Sequence, residues 1–376
     1  MSEPQPPFIP VNVPLLNGNE KKYLDECIDS GWISSEGPFV KQFEEQFADR
    51  VGRQYGVAVS NGTAALDAAI EALGIGEGDE VILPAFTIIS CIGQIIRSGA
   101  KPVLVDSDPV TWNMDVNQIE AKITVRTKAI MVVHIYGLPV DMNRVLELAK
   151  RYNLKIIEDA AQMHGQTYYG KPCGSFGDVS TFSFYPNKHI TTGEGGMVVT
   201  DNEQLFDDCK SLRNLCFQSS KRFVHERLGW NFRMTNMQAA LGLAQLEQLD
   251  DFIQRKRRMG LRYSELLSDV PGVQLPLAQT AYADNIYWVF GIVLDDDRGE
   301  ATSDVIARLG SMGIGTRPFF CPMHMQPVLQ RMGLFEGENH PVSERLYRQG
   351  FYIPSGMALT DEQIERVAKT VCEVLG

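Results

Sequence analysis

No two of the seven cysteines stand in a CxxC pair, which argues against a zinc site or a disulfide framework and fits a reducing cytoplasm. No long block of like charge accompanies the formal net charge of −12. A nucleic-acid surface is therefore not expected, although a local basic pocket around an anionic substrate remains compatible with that balance. No stretch is long and apolar enough to span a bilayer. The opening Met1-Ser2-Glu3-Pro4-Gln5-Pro6-Pro7 is polar and proline-rich, with no hydrophobic signal region after it. Internal repeats and low-complexity segments are also missing. What is present is the composition of a soluble globular protein, 22% charged and 44% hydrophobic. At 376 residues it has room for one large and one small domain with a substantial core.

Against that background one stretch stands out, Glu158 to Thr200. The apolar run Leu154-Lys155-Ile156-Ile157-Glu158 ends on an acid, Asp159, and a lysine, Lys188, follows downstream. Between them Phe182-Ser183-Phe184 alternates, placing both aromatics on one side and Ser183 on the other. After the lysine comes Gly193-Glu194-Gly195-Gly196, whose glycines permit close backbone approach. Its spacing is not a GxGxxG opening a helix, so no dinucleotide fingerprint is read there. An acid, a lysine and close-packed glycines are what a pyridoxal phosphate (PLP) site requires. The amine condenses with the cofactor aldehyde and, once displaced by an amino-acid substrate, is free to move protons. A carboxylate facing the pyridine nitrogen keeps it protonated. At ~4 Å and an effective dielectric near 20 that pair contributes roughly 4 kcal/mol, about three pKa units. Taken singly, Asp159 reads as a strand end in solvent and Lys188 as a solvated loop lysine. Together, with the glycines, they read as a site.

The rest of the chain supplies a scaffold for it. An extended arm is expected to about Leu16, then helices over Asn19–Ser30 and Phe39–Val51. Tyr55–Ser60 reads as a strand feeding Asn61-Gly62-Thr63 and a helix over Ala64–Leu73. Orphan amides and the helix dipole favour an anion at such a turn, and Gly62 and Thr63 are assigned to the cofactor phosphate. Apolar strands without alternation follow at 80–83, 102–105 and 129–134, as expected when helices cover both faces of a parallel sheet. Helices are placed at Ile88–Ser98 and Met142–Tyr152, and ligands bind at the edge where the βα loops emerge. Arg213 to Trp230, with Arg222, His225 and Arg227, reads as a long loop. A long helical stretch is expected over Met237–Leu267, a strand over Asn285–Leu294 and a helix over Ser303–Met312. Thr360-Asp361-Glu362-Gln363 has the capping-box pattern before a last helix to Leu375. The domain division is drawn at 1–250 and 251–376.

Glu158-Asp159-Ala160-Ala161-Gln162, Phe182-Ser183-Phe184, Lys188 and Thr192-Gly193-Glu194-Gly195-Gly196 closely resemble the DegT–DnrJ–StrS family of PLP-dependent nucleotide-sugar aminotransferases. The likeness runs over nearly the whole chain, including Ser60-Asn61-Gly62-Thr63 and Asn231-Phe232-Arg233-Met234. It implies the α/β architecture of fold-type-I PLP-dependent transferases, with a mostly parallel seven-stranded sheet and a small C-terminal α/β domain. It implies PLP, cycling with its amine form PMP, held covalently by Lys188 and at its ring nitrogen by Asp159. Gln162 then reaches the phenolic oxygen, Ser183 the phosphate, and Phe86 stacks on the ring, whereas ordinary core packing is the other reading of Phe86. The asparagine matching Asn231 reaches the phosphate of the neighbouring subunit's cofactor, which implies a homodimer with shared sites. By position Arg317 and His324 border the sugar-nucleotide pocket, with packing or surface roles equally open, and Trp32 falls close to the active site, with packing its leading reading. His164 is open between a supporting role and a structural one. No metal is expected.

The implied reaction moves an amine from L-glutamate to carbon 4 of a nucleotide-linked 4-keto-6-deoxy sugar. Within the family the likeness to perosamine-forming 4-aminotransferases favours GDP-4-keto-6-deoxymannose, with dTDP-4-keto-6-deoxyglucose as runner-up. Some relatives are sugar dehydratases with histidine in place of the lysine. Here His189 is adjacent but Lys188 fills the lysine position. A non-enzymatic PLP sensor is the remaining alternative, and no helix-turn-helix or basic region accompanies the chain.

Overall fold

Seven short runs rich in β-branched residues pair into one sheet in the computed structural model, which describes residues 7–218 and 221–376. They are β1 (Tyr55–Val59), β2 (Glu80–Pro84), β3 (Lys101–Val105), β4 (Thr127–Val133), β5 (Lys155–Asp159), β6 (Val179–Ser183) and β7 (Gly196–Thr200). Their spatial order is β1-β7-β6-β5-β4-β2-β3. The pairings from β6 across to β3 are parallel, and β7 runs antiparallel to both of its neighbours. The mostly parallel seven-stranded sheet is thus as expected.

The missing alternation has the expected cause. Successive strand residues feed two cores on opposite faces: Ile82, Ile130 and Ile156 join one, Val81, Leu83, Met131 and Ile157 the other. Phe43 and Phe47 of helix Pro38–Arg50 cover the first face, while Ile70, Ile92 and Ile95 from helices Gly62–Ala72 and Ser90–Arg97 cover the second. All the parallel strands end at one edge, and the loops there build the site.

A second, four-stranded antiparallel sheet comprises Val273–Gln274, Phe290–Leu294, Gly350–Ile353 and Arg317–Pro318. Its core takes in Tyr263, Phe290, Ile353 and Val367. The final helix, Asp361–Leu375, opens on the reciprocal Thr360–Gln363 capping box read from the sequence. Asp106, just past β3, accepts from the N–H groups of Val342 (3.1 Å) and Ser343 (2.9 Å) and from Ser343 Oγ (2.6 Å). It therefore caps helix Pro341–Gln349 from outside and ties it to the large sheet. Of the expected arm, residues 1–6 lie outside the described residues. The remainder is held by backbone bonds from Ile9 N to Gly313 O and from Ser355 N to Val11 O. In the loop read over Arg213–Trp230, residues 219–220 lie outside the description, and the others form no helix or strand.

Two elements differ from expectation. The long helix over Met237–Leu267 is two helices, Asn236–Leu246 and Leu249–Leu266. The break holds neither glycine nor proline; Glu247 accepts from Asn19 and Tyr23 while Gln248 donates to Glu20, so the first helix of the chain fixes the joint. The strand read over Asn285–Leu294 begins only at Phe290. Before it, Asn285 Oδ1 accepts from Tyr287 N (2.7 Å) and Tyr287 takes a positive φ of 48°. That local turn outcompetes the extended conformation.

Candidate active site

Asp159 closes β5 opposite Val133 of β4 and Thr181 of β6, in the middle of the ligand-binding edge. It is only 4% exposed. Its Oδ1 accepts from Ala161 N (3.0 Å) and its Oδ2 from the Cys91 thiol (3.3 Å). Burial pushes its carboxyl above the ordinary aspartate value, opposed by those hydrogen bonds and by the charge of Lys188. A cation beside it would reverse that rise. The carboxylate is placed for a positively charged partner.

Strand alternation sends the preceding residue, Glu158, to the other face. Its carboxylate accepts from Phe176 N, Gly177 N and Ser180 Oγ at 2.9–3.1 Å, from Gly174 N, and from His134 Nε2 at 3.2 Å. His134 Nδ1 accepts from Val140 N, so the imidazole proton sits on Nε2 and points at Glu158. Burial opposes the charge of Glu158, but His134 and the backbone donors prevail and hold its pKa at about 2. His134, Glu158 and Cys173 lie close enough to share a cation, yet these donors already occupy the carboxylate. It is a hub for the 173–180 turn. A glutamate so depressed adds stability that is full above pH ~4.5 and drains away as pH falls toward 2. Glu158→Gln turns an NH₂ toward donors, and is expected to lower unfolding free energy by about 3 kcal/mol or more. Urea denaturation at pH 7 measures this; an unchanged midpoint would contradict the hub assignment.

Beyond β6, Phe182 and Phe184 pack edge-on against Phe47 at 4.8 and 5.1 Å between ring centroids, leaving Ser183 facing the cavity. The chain then turns, with Lys188 N bonded to Tyr185 O (2.9 Å). Lys188 Nζ lies 3.7 Å from the centroid of the Trp288 ring, whose Nε1 donates to Asn187 O (2.8 Å). Burial lowers the amine to about 7, against the pull of Asp159 and Cys91. At that value about half the amines are neutral at pH 7, whereas an ordinary lysine is neutral in fewer than ~0.1% of molecules. His164 is fully buried among Phe47, Phe182 and Phe184 with neither ring nitrogen hydrogen-bonded, and burial lowers it to about 3. It is a neutral ring packed beneath the site.

The opposite end of the cavity is the N-terminus of helix Gly62–Ala72. Asn61 Oδ1 accepts from Ala64 N (2.8 Å) and Asn61 O from Ala65 N (3.1 Å), leaving the Gly62 and Thr63 amides for the cavity. A Cβ on Gly62 would lie 2.7 Å from Ser183 Cβ, and one on Gly196 2.4 Å from Asn61 O. Glycine at both positions lets the turn seat against β6 and β7. Gln162 is 4% exposed and its Oε1 accepts from Tyr136 N (2.6 Å), which leaves its NH₂ for the cavity.

The structure brings Gly62, Thr63, Asp159, Gln162, Ser183 and Lys188 around one cavity of about 740 Å³. Free amides and hydroxyls, a buried carboxylate and an amine around one cavity fit a phosphate, a protonated ring nitrogen and an aldehyde. Phe86 is corrected. Bonds from Ala85 N to Val105 O and from Met323 N to Ala85 O pin its loop. Its ring is wholly buried against Tyr136, Phe319 and Phe320 at 5.8–5.9 Å, and Ile88 lines the cavity instead. Asn231 is exposed with its Oδ1 on Arg233 Nε (2.8 Å), and its neighbour Phe232 lines the cavity.

Trp32 is half-exposed in a separate groove beside Tyr23 and Phe39. Arg317 is exposed on its short strand opposite Tyr352, which does line the cavity. His324 is buried away from the cavity, paired with Glu344 (3.0 Å) and packed on His340. Arg222 stacks over Phe217, and Arg227 pairs with Asp208. Trp288, Ile88, Phe320 and Tyr352 were missed as cavity residues. Only Phe320 and Tyr352 carried a signal, as aromatics in irregular or edge segments.

The DegT/DnrJ/EryC1/StrS aminotransferase family matches residues 14–372. The GDP-perosamine synthase of Escherichia coli O157:H7 is 44% identical over 368 residues, 97% of this chain and 98% of its own length. That of Caulobacter vibrioides is 42% identical over 370 residues, 98% of this chain and 99% of its own. Among solved structures, Spr1654 from Streptococcus pneumoniae in its PLP form aligns with a TM-score of 0.90 at 26% identity, covering 98% of each chain.

Proposed function

The chain belongs to the DegT/DnrJ/EryC1/StrS family of PLP-dependent aminotransferases, and from that premise we propose that it moves the amine of L-glutamate to carbon 4 of GDP-4-keto-6-deoxymannose, yielding GDP-perosamine. The acceptor is supported by the two relatives of that name at 42% and 44% identity. The carrying observation is the shared cavity of Lys188, Asp159 and the Gly62–Thr63 helix start.

When bound, PLP supplies an aldehyde for an amine and an electron-accepting ring. The Gly62 and Thr63 amides, with the Thr63 and Ser183 hydroxyls, would hold its phosphate. Asp159 would keep the ring nitrogen protonated, Gln162 would donate to the phenolic oxygen, and Ile88 would cover one face. Lys188, neutral in a large fraction of molecules, would take the proton from the amino-acid α-carbon onto its Nζ and deliver it to the carbon that carried the cofactor's aldehyde. Trp288 shields that amine from water. His189 sits behind the cavity with its Nε2 toward Ile286 O (3.3 Å), so it does not stand in the lysine's place. Asn231, pointing away from its own cavity wall, suits a reach into a partner's site in a homodimer. The division near residue 250, a cytoplasmic location and the absence of nucleic-acid and membrane partners complete the reading.

Incubating the PLP-loaded protein with glutamate and either GDP-4-keto-6-deoxymannose or dTDP-4-keto-6-deoxyglucose tests the proposal by product mass. GDP-perosamine with stoichiometric 2-oxoglutarate is expected. Amination of the dTDP sugar alone would reverse the acceptor assignment.

A further inference from the structure

Lys256 is a lysine buried more deeply than Lys188, and the reaction does not use it. It is 3% exposed on helix Leu249–Leu266, and among the described residues no carboxylate lies within ion-pair distance of it. Its Nζ donates instead to two main-chain carbonyls, Trp288 O (2.9 Å) and Ser355 O. Desolvation lowers the amine to about 7. A buried amine satisfied only by carbonyls is costly, so its position calls for a reason.

The reason lies in what those carbonyls belong to. Segment 285–289 leaves the strand path through the positive φ of Tyr287. Helix Leu249–Leu266 accommodates it with Gly260, one turn beyond Lys256 on the same face; a Cβ there would lie 2.2 Å from the Tyr287 ring. On the other side, a Cβ on Gly137 would meet Asn285 Oδ1 at 2.3 Å. Lys256 then ties the exit of the kink to Ser355, whose Oγ accepts from Phe290 N (2.9 Å). The kink ends with the Trp288 ring over the Lys188 amine.

We infer that Lys256 is a positioning residue: by holding the Trp288 carbonyl it sets the cover over Lys188, and so the exposure and reactivity of that amine. This rests on the reading of Lys188 given above, which is checked separately as cofactor mass on the Lys188 peptide after borohydride reduction of the wild-type protein.

The test is lysine acetylation of the cofactor-free full-length protein at about pH 10.5, where even an uncovered lysine is substantially neutral and the rate reads access rather than charge, followed by peptide mass spectrometry with exposed Lys41 as internal reference. Lys256→Met is expected to raise the Lys188 rate relative to Lys41 by about fivefold, the scale of one lost aromatic contact. Trp288→Ala should do the same, and the double variant should add little more. In the loaded enzyme, Lys256→Met should lower kcat about tenfold while glutamate KM stays within about twofold. Lys256→Arg, which keeps the donors, should restore the wild-type labelling rate. If Lys256→Met does not fold, Lys256→Gln gives the same readout. Wild-type labelling in the Met or Gln variant, or multiplicative effects in the double variant, would overturn the inference.

Discussion

Lys188→Ala is expected to lower kcat by at least about 10³-fold, since proton transfer by a positioned group alone contributes 10²–10⁴. The lysine is both the covalent anchor and the proton carrier. Both roles depend on a neutral amine at working pH, which burial beneath Trp288 provides by lowering its pKa to about 7. The same depression predicts a stability signature. The unfolded chain binds its lysine proton up to about pH 10.5. Over the window from about 7 to 10.5 the unfolded state therefore holds more protons, and the cofactor-free protein gains stability as pH rises. Lys188→Ala removes this lysine's share of that dependence, while Lys256, also lowered to about 7, keeps its own. The variant should unfold no more easily than wild type at pH 7 and show a flatter rise to pH 9.5 in paired urea titrations. Retained steady-state turnover by a clean preparation would refute the assignment.

Asp159→Asn is expected to lower kcat by about 10²–10³-fold with the fold intact. A carboxylate at ~4 Å from a cation supplies roughly 4 kcal/mol at an effective dielectric near 20. Asparagine is isosteric: its Oδ1 still accepts from Ala161 N, and its NH₂ takes the place of the oxygen facing the Cys91 sulfur, which can itself accept weakly, so the charge is the main loss. At 1.36 kcal/mol per tenfold, most of that energy would appear in the rate. The binding isotherm for PLP and the rate of the glutamate half-reaction separate the outcomes. Weakened binding with an unaltered half-reaction would mean that Asp159 only anchors the ring.

Asp159 and Lys188 were legible because each breaks a pattern: a carboxylate at the end of an apolar strand, and a lysine beside close-packed glycines. Gly62 and Thr63 were legible because a strand, a turn and a helix start in succession leave amides free. Trp288 was not, since Asn285 to Leu294 is a continuous β-prone run. Its kink depends on room provided by Gly137 and Gly260, far away in the chain. The Phe86 reading failed because backbone bonds to Val105 and Met323 set which way its loop faces, and neither partner is local. The Glu158 hub was hidden for the same reason, its donors lying at 134 and 174–180. Pattern breaks are local, but the packing that aims a side chain is not.

The central claim is that this cavity carries an amine from glutamate to a nucleotide-linked keto sugar. The most direct measurement is the visible absorption of the PLP-loaded protein as glutamate and then GDP-4-keto-6-deoxymannose are added. Glutamate should abolish the band of the lysine-bound cofactor, and the keto sugar should restore it. A band unmoved by glutamate would contradict the donor and the aminotransfer account built on it, whereas a band lost but not restored by this sugar would contradict the acceptor.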